Sequence, residues 1–553
     1  MELPQPTHKN YTTLISNIEN GEIKIPQFQR DFVWTLQRSA ELLDSVVKGY
    51  PIGTFIFWLT RERLRSVKEL GNTKLPAAKK GETVSFVLDG QQRLTSLFAA
   101  MKGLEIVRES GQCTDFSEIY IDLSAGESDT IVTTDITDLP ANTFIRLTDL
   151  LYGSLTTLAA FPQEHHARLD EYKRRIEAYD FSIIEVRNVP IDVATEIFTR
   201  INVGGKPLTV FEIMVAKTYD EKQGFDLSEK YSELIERLAP IDYETISDQT
   251  ILQLIALIMK KDCKRQAILK LEKDAFIEIW PAAIDSVEKA VEYFRNVMRI
   301  PVSQMLPYLT LIVPFAYFFY HNGNKKPSLD QKLELEDFFW RCSLGGRYSS
   351  SVESKLAQDV NRIELILNGG SADYDWGIDV SPEFLVENGW FNAGRSFTKA
   401  ILCVMAYQQP LSFNDNGIVN ISNYWLKQAN SKNYHHFFPR AFLRKAGVSE
   451  EEANNIVNIT IVDDYLNKRE IGAKPPSKYM KKFQDSNSDL IKTMETHLIG
   501  DLEEFGILDD DYETFIQKRS KSISKQLKKR IIHRRIDDFG QAQNMYDATE
   551  QTA

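Results

Sequence analysis

The sequence is poor in cysteine, has no long apolar run and carries no excess of basic residues. No run is long enough to span a bilayer, and the polar first ten residues argue against a secretory signal. The chain has 66 Lys and Arg against 78 Asp and Glu, a formal net charge of −12. This charge disfavours non-specific nucleic-acid binding by the whole surface but allows a local basic patch. The four cysteines are far apart and form no Cys-x-x-Cys pair, which predicts free, mostly buried thiols in a reducing cytoplasm: Cys113, Cys263, Cys342 and Cys403.

Length and patterning predict a soluble, multi-domain α+β protein. The chain has 553 residues, of which 43% are hydrophobic and 26% charged, enough for about two to four domains. Strand and helix patterns are mixed over residues 1–215, and helical periodicity continues through residues 216–375. Residues 376–553 form a third, mostly helical region. A Gly- and Ser-containing stretch at 368–373 is typical of a linker between the last two.

The central motif is a strand, a tight turn and a helix start in residues 84–97, with the sequence VSFVLDGQQRLTSL. The apolar run ends at Asp89-Gly90, and an amphipathic helix begins within the polar cluster that follows. Turn amides and a helix N-terminus favour anions, and Arg93 could bind a phosphate with its forked guanidinium. The same residues fit an ordinary Asp-Gly turn with an N-cap. The local pattern leaves both interpretations open.

Three further segments combine polar or basic side chains with aromatic residues or with glycine turns. Residues 25–34 (IPQFQRDFVW) mix aromatic side chains with Gln29 and Arg30, and the aromatics could form an apolar wall. Residues 194–209 read as a helix, a double glycine and a new helix start, which is either a plain connection or a backbone open to phosphate oxygens. A third group could touch a nucleic-acid backbone or mark a solvated helix end: Arg341, Arg347, Tyr348 and Lys355.

Adjacent histidines at 435 and 436 are a candidate hydrolytic centre. On a strand they point to opposite faces, so one could bind a metal ion while the other deprotonates a water molecule. Asn467, on a predicted helix, could add an oxygen ligand. Two ordinary turn histidines are the alternative. The similar pair His165-His166, on a charged helix with no matching asparagine, is expected to have no functional role.

The C-terminal tail is locally basic, with nine Lys and Arg in the eighteen positions 518–535. Ile523, Leu527, Ile531 and Ile532 lie on a plausible inner face. A solvated amphipathic helix and a phosphate-contacting helix both fit this pattern.

Motifs in order along the chain resemble a known family. Residues 25–34 (IPxFQRxxVW), 89–95 (DGQQRLT) and 198–208 (FxxINxGGxxL) resemble the N-terminal domain of GmrSD-type modification-dependent (type IV) restriction proteins. That domain has a ParB/sulfiredoxin-like nucleotide-hydrolysing fold. The pattern HHxxP from His435, followed by Asn458 and Asn467, resembles the HNH nuclease domain, a ββα-metal fold, fused to it in that family. The resemblance covers nearly the whole chain.

For residues 1–215 the resemblance implies a domain that binds and hydrolyses a nucleoside triphosphate, GTP or ATP. Asp89 and Arg93 would be its catalytic residues. The nucleotide-binding set would be Gln29, Arg30, Asp89, Gly90, Gln91, Gln92, Arg93, Thr95, Arg200 and Asn202.

For residues 376–553 the resemblance implies a metal-dependent DNA nuclease. His436 would be the general base, His435 and Asn467 the metal ligands, and Asn458 the support of the histidine loop. Relatives often carry an acidic residue in place of His435, and histidine suits a transition metal better than magnesium. The ion, Mg, Mn or another transition metal, therefore stays open. DNA contacts are expected from Lys468, Lys525, Lys528, Lys529 and Arg530.

These observations predict a cytoplasmic anti-phage restriction protein that senses modified double-stranded DNA, uses a nucleoside triphosphate for control and nicks or cleaves DNA. No membrane partner is expected, and a homo-oligomer is compatible with the sequence. One alternative is a nucleotide-gated DNA-binding switch with a degenerate HNH module. The other is a sensor of phosphorothioate rather than base modification.

Overall fold

The computed structural model describes residues 3–26, 32–61, 64, 66, 69–70, 73–77, 81–107, 111–126, 128–201, 208–220, 222–423, 434–462 and 471–538. The chain divides into two compact units, residues 1–227 and 228–553. The boundary expected near residue 375 lies inside the second unit, and the division into three domains stays a prediction. Among the described residues, no helix is long and apolar enough to cross a membrane.

A mixed sheet forms the centre of the first unit. The strands of this unit are β1 (Gln5–Asn10), β2 (Ile23–Lys24), β3 (Phe55–Thr60), β4 (Glu69–Leu70), β5 (Thr73–Lys74), β6 (Val84–Asp89), β7 (Glu105–Val107), β8 (Cys113–Asp115), β9 (Tyr120–Asp122), β10 (Val132–Thr133), β11 (Phe144–Arg146) and β12 (Asp180–Arg187). Five of them pair in the order β1-β12-β3-β6-β2. Strand β12 is parallel to β3 and β2 is parallel to β6, whereas the β1–β12 and β3–β6 pairs are antiparallel.

Helices accompany this sheet: α1 (Tyr11–Glu19), α2 (Leu36–Val47), α3 (Gln91–Lys102), α4 (Leu147–Tyr152), α5 (Leu155–Ala159), α6 (Gln163–Glu177), α7 (Ile191–Ile201) and α8 (Val210–Thr218). Thr35 caps α2, as its position before an apolar-periodic run predicts. Apolar residues on both faces of β6 are buried, Val84, Phe86 and Leu88 on one face and Val87 on the other, and β3 and β2 pair with its two edges. The predicted strand, turn and helix around Asp89 are therefore confirmed.

The second unit is almost entirely helical, as the periodicity of residues 216–375 predicts. Its helices are α9 (Leu227–Leu238), α10 (Asp248–Lys260), α11 (Arg265–Leu269), α12 (Lys273–Asn296), α13 (Ile312–His321), α14 (Leu329–Leu344), α15 (Val352–Leu367), α16 (Pro382–Glu387), α17 (Ser396–Tyr407), α18 (Arg440–Lys445), α19 (Glu450–Ala453), α20 (Pro476–Ser486), α21 (Leu490–Thr496) and α22 (Tyr512–Lys528). Among the described residues of this unit, β13 (Tyr434–His436) and β14 (Ile459–Ile461) pair as an antiparallel two-stranded sheet, called here the β13–β14 hairpin.

A buried charge network joins α14 to the C-terminal residues of the second unit. Arg341 is fully buried and donates to both carboxylate oxygens of Asp337 at 3.0 Å and to those of Asp537 at 2.8 and 2.6 Å. Arg534 also bonds Asp337. Arg347 is buried and paired with Asp359. The idea that Arg341 and Arg347 touch nucleic acid is therefore wrong, because both guanidinium groups are enclosed.

The prediction of a linker at residues 368–373 is also wrong for residues 371–373. The Ser371 hydroxyl and the Ala372 amide donate to the carboxylate of Glu334 on α14. Ala372 and Tyr374 are buried. This segment is part of the packed second unit.

Candidate functional site

The first candidate site is the turn between β6 and α3. Gly90 has φ of +90°, a conformation that favours glycine, and stands at the N-cap of α3 with no side-chain cap. A Cβ at this position would lie 2.5 Å from Cδ1 of Phe55. The first turn of α3 therefore starts from a residue without a side chain, and its amides form a helix N-terminus of the kind that attracts anions.

Arg93 is held by the protein itself. Its Nη1 donates to the Ile52 carbonyl at 2.7 Å, and its Nη2 donates to the Thr54 carbonyl at 2.9 Å and to Asp89 Oδ2 at 3.2 Å. The guanidinium also lies 5.0 Å from the centre of the Phe55 ring. Arg93 thus fixes Asp89 and the 52–54 loop around the turn, and only its remaining N–H groups are left for a ligand.

The other predicted nucleotide-site residues are placed as follows. Gln92 is buried, and its Oε1 accepts from the Val33 amide at 2.9 Å, so Val33 is tied to the turn. Thr95 is buried on the inner side of α3. Arg200 is exposed and pairs with Glu196, on a helix that packs against β6. Gln91 is partly exposed at the first position of α3. Gln29, Arg30 and Asn202 lie outside the described residues.

The second candidate site is the β13–β14 hairpin. Antiparallel pairing places His435 opposite Thr460 and His436 opposite Ile459. The strand predicted for the histidines is confirmed. The helix predicted to carry Asn467 and Lys468 lies outside the described residues. Among the described residues, no group of three or more His, Cys, Asp or Glu side chains could hold a metal ion.

The contacts of His435 suit a metal ligand. Its ring is buried, and Nδ1 lies 3.0 Å from the Thr460 hydroxyl. That hydroxyl donates to the His435 carbonyl at 3.3 Å, so its oxygen accepts from Nδ1–H. The second nitrogen, Nε2, is buried without a hydrogen-bond partner in the described structure. Burial lowers the pKa of His435 to about 3, which keeps this nitrogen unprotonated. An unprotonated imidazole nitrogen is a standard ligand for a transition metal.

His436 is partly buried beside Asn454. Its Nε2 lies 2.9 Å from Asn454 Oδ1. Burial lowers the pKa of His436 to about 4, while the hydrogen bond from His436 to Asn454 acts in the opposite direction and Arg440 lowers the value further. The imidazole is therefore neutral at pH 7, the form that can accept a proton.

Asn458 is completely buried behind the histidines. Its Oδ1 accepts from the Phe438 amide at 2.8 Å, and its Nδ2 donates to the carbonyls of Phe438 and Ala453 at 2.9 and 3.0 Å. The Asn458 carbonyl accepts from the Phe437 amide at 2.7 Å. These bonds fix the chain directly after His436 to the start of β14. Asn458 therefore has the contacts that a loop-supporting residue needs.

Three residues that contact the hairpin or its histidines were not predicted to do so from the sequence: Thr460, Asn454 and Arg519. Thr460 follows from the register of the hairpin, but Asn454 has no pattern that points to it. Arg519 belongs to the basic tail, yet it is fully buried and donates to the carbonyls of Val457 and His497. Burial lowers the pKa of Arg519 to about 9. Its guanidinium supports the hairpin from behind and does not face solvent.

The basic tail forms a lysine stripe on α22. The stripe consists of five exposed lysines: Lys518, Lys521, Lys525, Lys528 and Lys529. The first four are spaced three, four and three positions apart, and the fifth follows at the end of the helix. None of the five forms an ion pair with a described residue. Arg530 departs from this pattern. Its guanidinium packs 4.1 Å from the centre of the Tyr407 ring and donates to the Gln526 carbonyl. The stripe has the spacing of one helix face directed to solvent.

Comparison with known proteins gives one relative over the full length and one family over the first unit. The chain is 25% identical to an uncharacterized protein of Methanocaldococcus jannaschii, and the alignment covers 95% of each chain. Residues 11–219, which hold the β6–α3 turn, match the family model of the GmrSD restriction endonuclease, N-terminal domain. This likeness suggests a restriction-type defence nuclease, a class of enzyme that binds DNA.

Proposed function

We propose that this protein is an anti-phage restriction protein that cleaves or nicks double-stranded DNA at the β13–β14 hairpin. The observation that carries the proposal is the pair of histidines with different environments. His435 presents a buried, unpartnered nitrogen, and His436 lies on the opposite face of the strand. One neutral imidazole is therefore available as a ligand and the other as a base.

In this proposal His435, with Asn467 after the hairpin, would hold a divalent metal ion, Mg, Mn or another transition metal. Such an ion supplies charge stabilisation to the leaving oxygen when bound. His436 would take a proton from the attacking water. Asn458 would keep the base in place, since it fixes the chain that follows it. The lysine stripe on α22 would contact DNA phosphates, sequence-independently and in a salt-dependent way.

The β6–α3 turn would be a control site for a nucleoside triphosphate, GTP or ATP. The α3 N-terminus and the glycine turn suit a phosphate group. Asp89 would orient water or a metal ion, with Arg93 holding its carboxylate. Binding or hydrolysis there would couple recognition of modified DNA to cleavage. The protein would act in the cytoplasm.

The nuclease assignment is tested by a plasmid-nicking assay with Mn or Mg. We expect His436→Ala to abolish nicking, and His166→Ala to leave it unchanged. His166 is the matched control because it is an exposed histidine next to a second histidine in the first unit. Equal cleavage by the parent and His436→Ala would overturn the role of His436. DNA binding without any cleavage by the parent would favour a nucleotide-gated switch with a degenerate nuclease module.

The control site is tested by nucleotide hydrolysis in the presence of unmodified, base-modified and phosphorothioate DNA. We expect stimulation by one modified DNA, and the responding DNA names the modification. Asp89→Asn should remove the hydrolysis, whereas Asp138→Asn, an exposed carboxylate of the same unit, should not. Hydrolysis that survives in Asp89→Asn would contradict the enzymatic role of the turn.

A further inference from the structure

The amide of Asn454 lies between His436 and the main chain of Phe391. Asn454 is buried, and its Oδ1 lies 2.9 Å from His436 Nε2. Its Nδ2 donates to the Phe391 carbonyl at 3.1 Å. The Phe391 amide in turn donates to the Asn454 carbonyl at 2.8 Å. Phe391 therefore forms hydrogen bonds with both the main chain and the side chain of Asn454, and these bonds fix the orientation of its amide.

These contacts determine which end of the amide faces the histidine. A carbonyl oxygen can only accept a hydrogen bond, so the amide end at the Phe391 carbonyl must be the NH₂ group. The oxygen of the Asn454 side chain then faces His436. Because that oxygen also can only accept, the hydrogen atom between the two groups belongs to His436 Nε2.

We infer that Asn454 is a positioning residue that holds His436 as the Nε2–H tautomer, which leaves the lone pair on Nδ1. This inference deepens the proposed nuclease function and rests on it for its catalytic meaning. The nitrogen that accepts the proton from water is Nδ1. Without the acceptor oxygen of Asn454, either ring nitrogen could carry the hydrogen, and part of the population would present no base.

The proton balance of the step follows from this assignment. Water transfers one proton to Nδ1 while its oxygen forms a bond to phosphorus. The bond from phosphorus to the departing sugar oxygen breaks, and that oxygen keeps the electron pair and takes a proton from solvent. His436 is then a cation whose Nε2–H still donates to Asn454, and a charge-assisted hydrogen bond is stronger than a neutral one. The imidazolium later releases its proton to solvent.

The neighbouring residue provides a matched control. Asn455 is buried to a similar degree, and its amide bonds the Val386 carbonyl at 2.8 Å and the Val457 amide at 2.9 Å. Its side-chain hydrogen bonds to described residues do not involve His436. Asn455→Ala therefore removes a buried asparagine from the same segment and leaves the contact to the histidine in place.

The test is nitrogen NMR of the full chain labelled with ¹⁵N-histidine, in which the two ring nitrogens report the tautomer, with His436→Gln for assignment. We expect the Nε2–H form in the parent and in Asn455→Ala, and a mixture of both forms in Asn454→Ala. Asn454→Asp keeps an oxygen acceptor and should keep Nε2 protonated, which supplies a second variant if the alanine variant folds poorly. The Nδ1–H form in the parent, or an unchanged tautomer in folded Asn454→Ala, would overturn the inference.

Nicking kinetics complete the experiment. Asn454→Ala should lower kcat by about 10- to 100-fold with little change in KM, the range typical when a partner that orients a functional histidine is removed. Asn455→Ala should change kcat much less. The NMR result does not depend on cleavage. If the parent proves inactive, the proposed function fails, while the tautomer still decides whether Asn454 positions His436.

Discussion

Replacing Arg341 by methionine tests how far the second unit depends on its buried charge network. The guanidinium is fully buried and bonds the carboxylates of Asp337 and Asp537 and the Ile532 carbonyl. Methionine keeps a long side chain of similar volume but removes the positive charge. Asp337, itself fully buried, and Asp537 would then lose one partner each.

The expected loss of unfolding free energy depends on the partners that Asp337 and Asp537 retain in the variant. Removing one member of a buried ion pair typically costs about 3–5 kcal/mol, because the other charge stays buried without compensation. Here Asp337 would keep Arg534 at 3.0 Å, and Asp537 would keep the amides of Arg534 and Ile378 at 2.9 and 3.0 Å. We therefore expect the lower end of the range, about 3 kcal/mol.

The measurement is urea unfolding of the full chain, with hydrogen exchange of residues 329–344 to locate the loss in α14. Arg237→Met is the matched control, because Arg237 and Glu288 form an exposed pair that should contribute at most about 1 kcal/mol. The double variant Arg341→Met with Asp537→Asn should cost less than the sum of the single variants. An Arg341→Met cost equal to that of Arg237→Met would refute the reasoning.

Two further predictions concern the candidate sites. Gly53 and Gly81 have similar φ angles of +88° and +87°, but a Cβ at Gly53 would lie 2.3 Å from a guanidinium nitrogen of Arg93, whereas a Cβ at Gly81 would meet no atom of the described residues within 4 Å. Both alanine variants should lose about 1–2 kcal/mol of unfolding free energy to backbone strain. Gly53→Ala should lose about 1 kcal/mol more, because it breaks hydrogen bonds of Arg93. Equal stability of the two variants in thermal unfolding would contradict this prediction. Replacing Lys525 and Lys528 together by alanine should reduce the magnitude of the slope of log DNA affinity against log salt concentration by about 1.8. Lys289→Ala should leave this slope unchanged. An unchanged slope in the double variant would exclude phosphate contacts by these two lysines.

Local sequence rules predicted the backbone of the first candidate site but not its side-chain contacts. A buried strand, a glycine turn and a helix start follow from β propensity, the Asp-Gly pair and the spacing of apolar residues. The role of Arg93 could not be read in this way. Its partners are carbonyls of residues 52 and 54, some 40 positions earlier, and only the antiparallel pairing of β3 with β6 brings them to the turn.

In the second unit, periodicity predicted helices but not which charges are buried. Arg519 and the lysines of the stripe belong to one basic segment, and residue type alone cannot distinguish them. Arg519 lies on the inner face of α22 at the same helical position as Ile523, so it points towards the hairpin. Asn454 was missed because its partners, Phe391 and His436, are set by tertiary packing and not by spacing in the sequence.

The network around Arg341 also sets an order in which the second unit can be completed during synthesis. The bonds from Arg341 to Asp537 and from Arg534 to Asp337 join positions 196 and 197 residues apart. At translation rates of about 5–20 residues per second, α14 waits roughly 10–40 s for these partners. The hairpin that carries the two histidines is made within this interval, before α22 and its buried Arg519. A chain that ends within this interval would contain α14 with Arg341 paired only to Asp337, because Asp537 and Arg534 are still missing. Such an incomplete second unit would be open to proteolysis and aggregation.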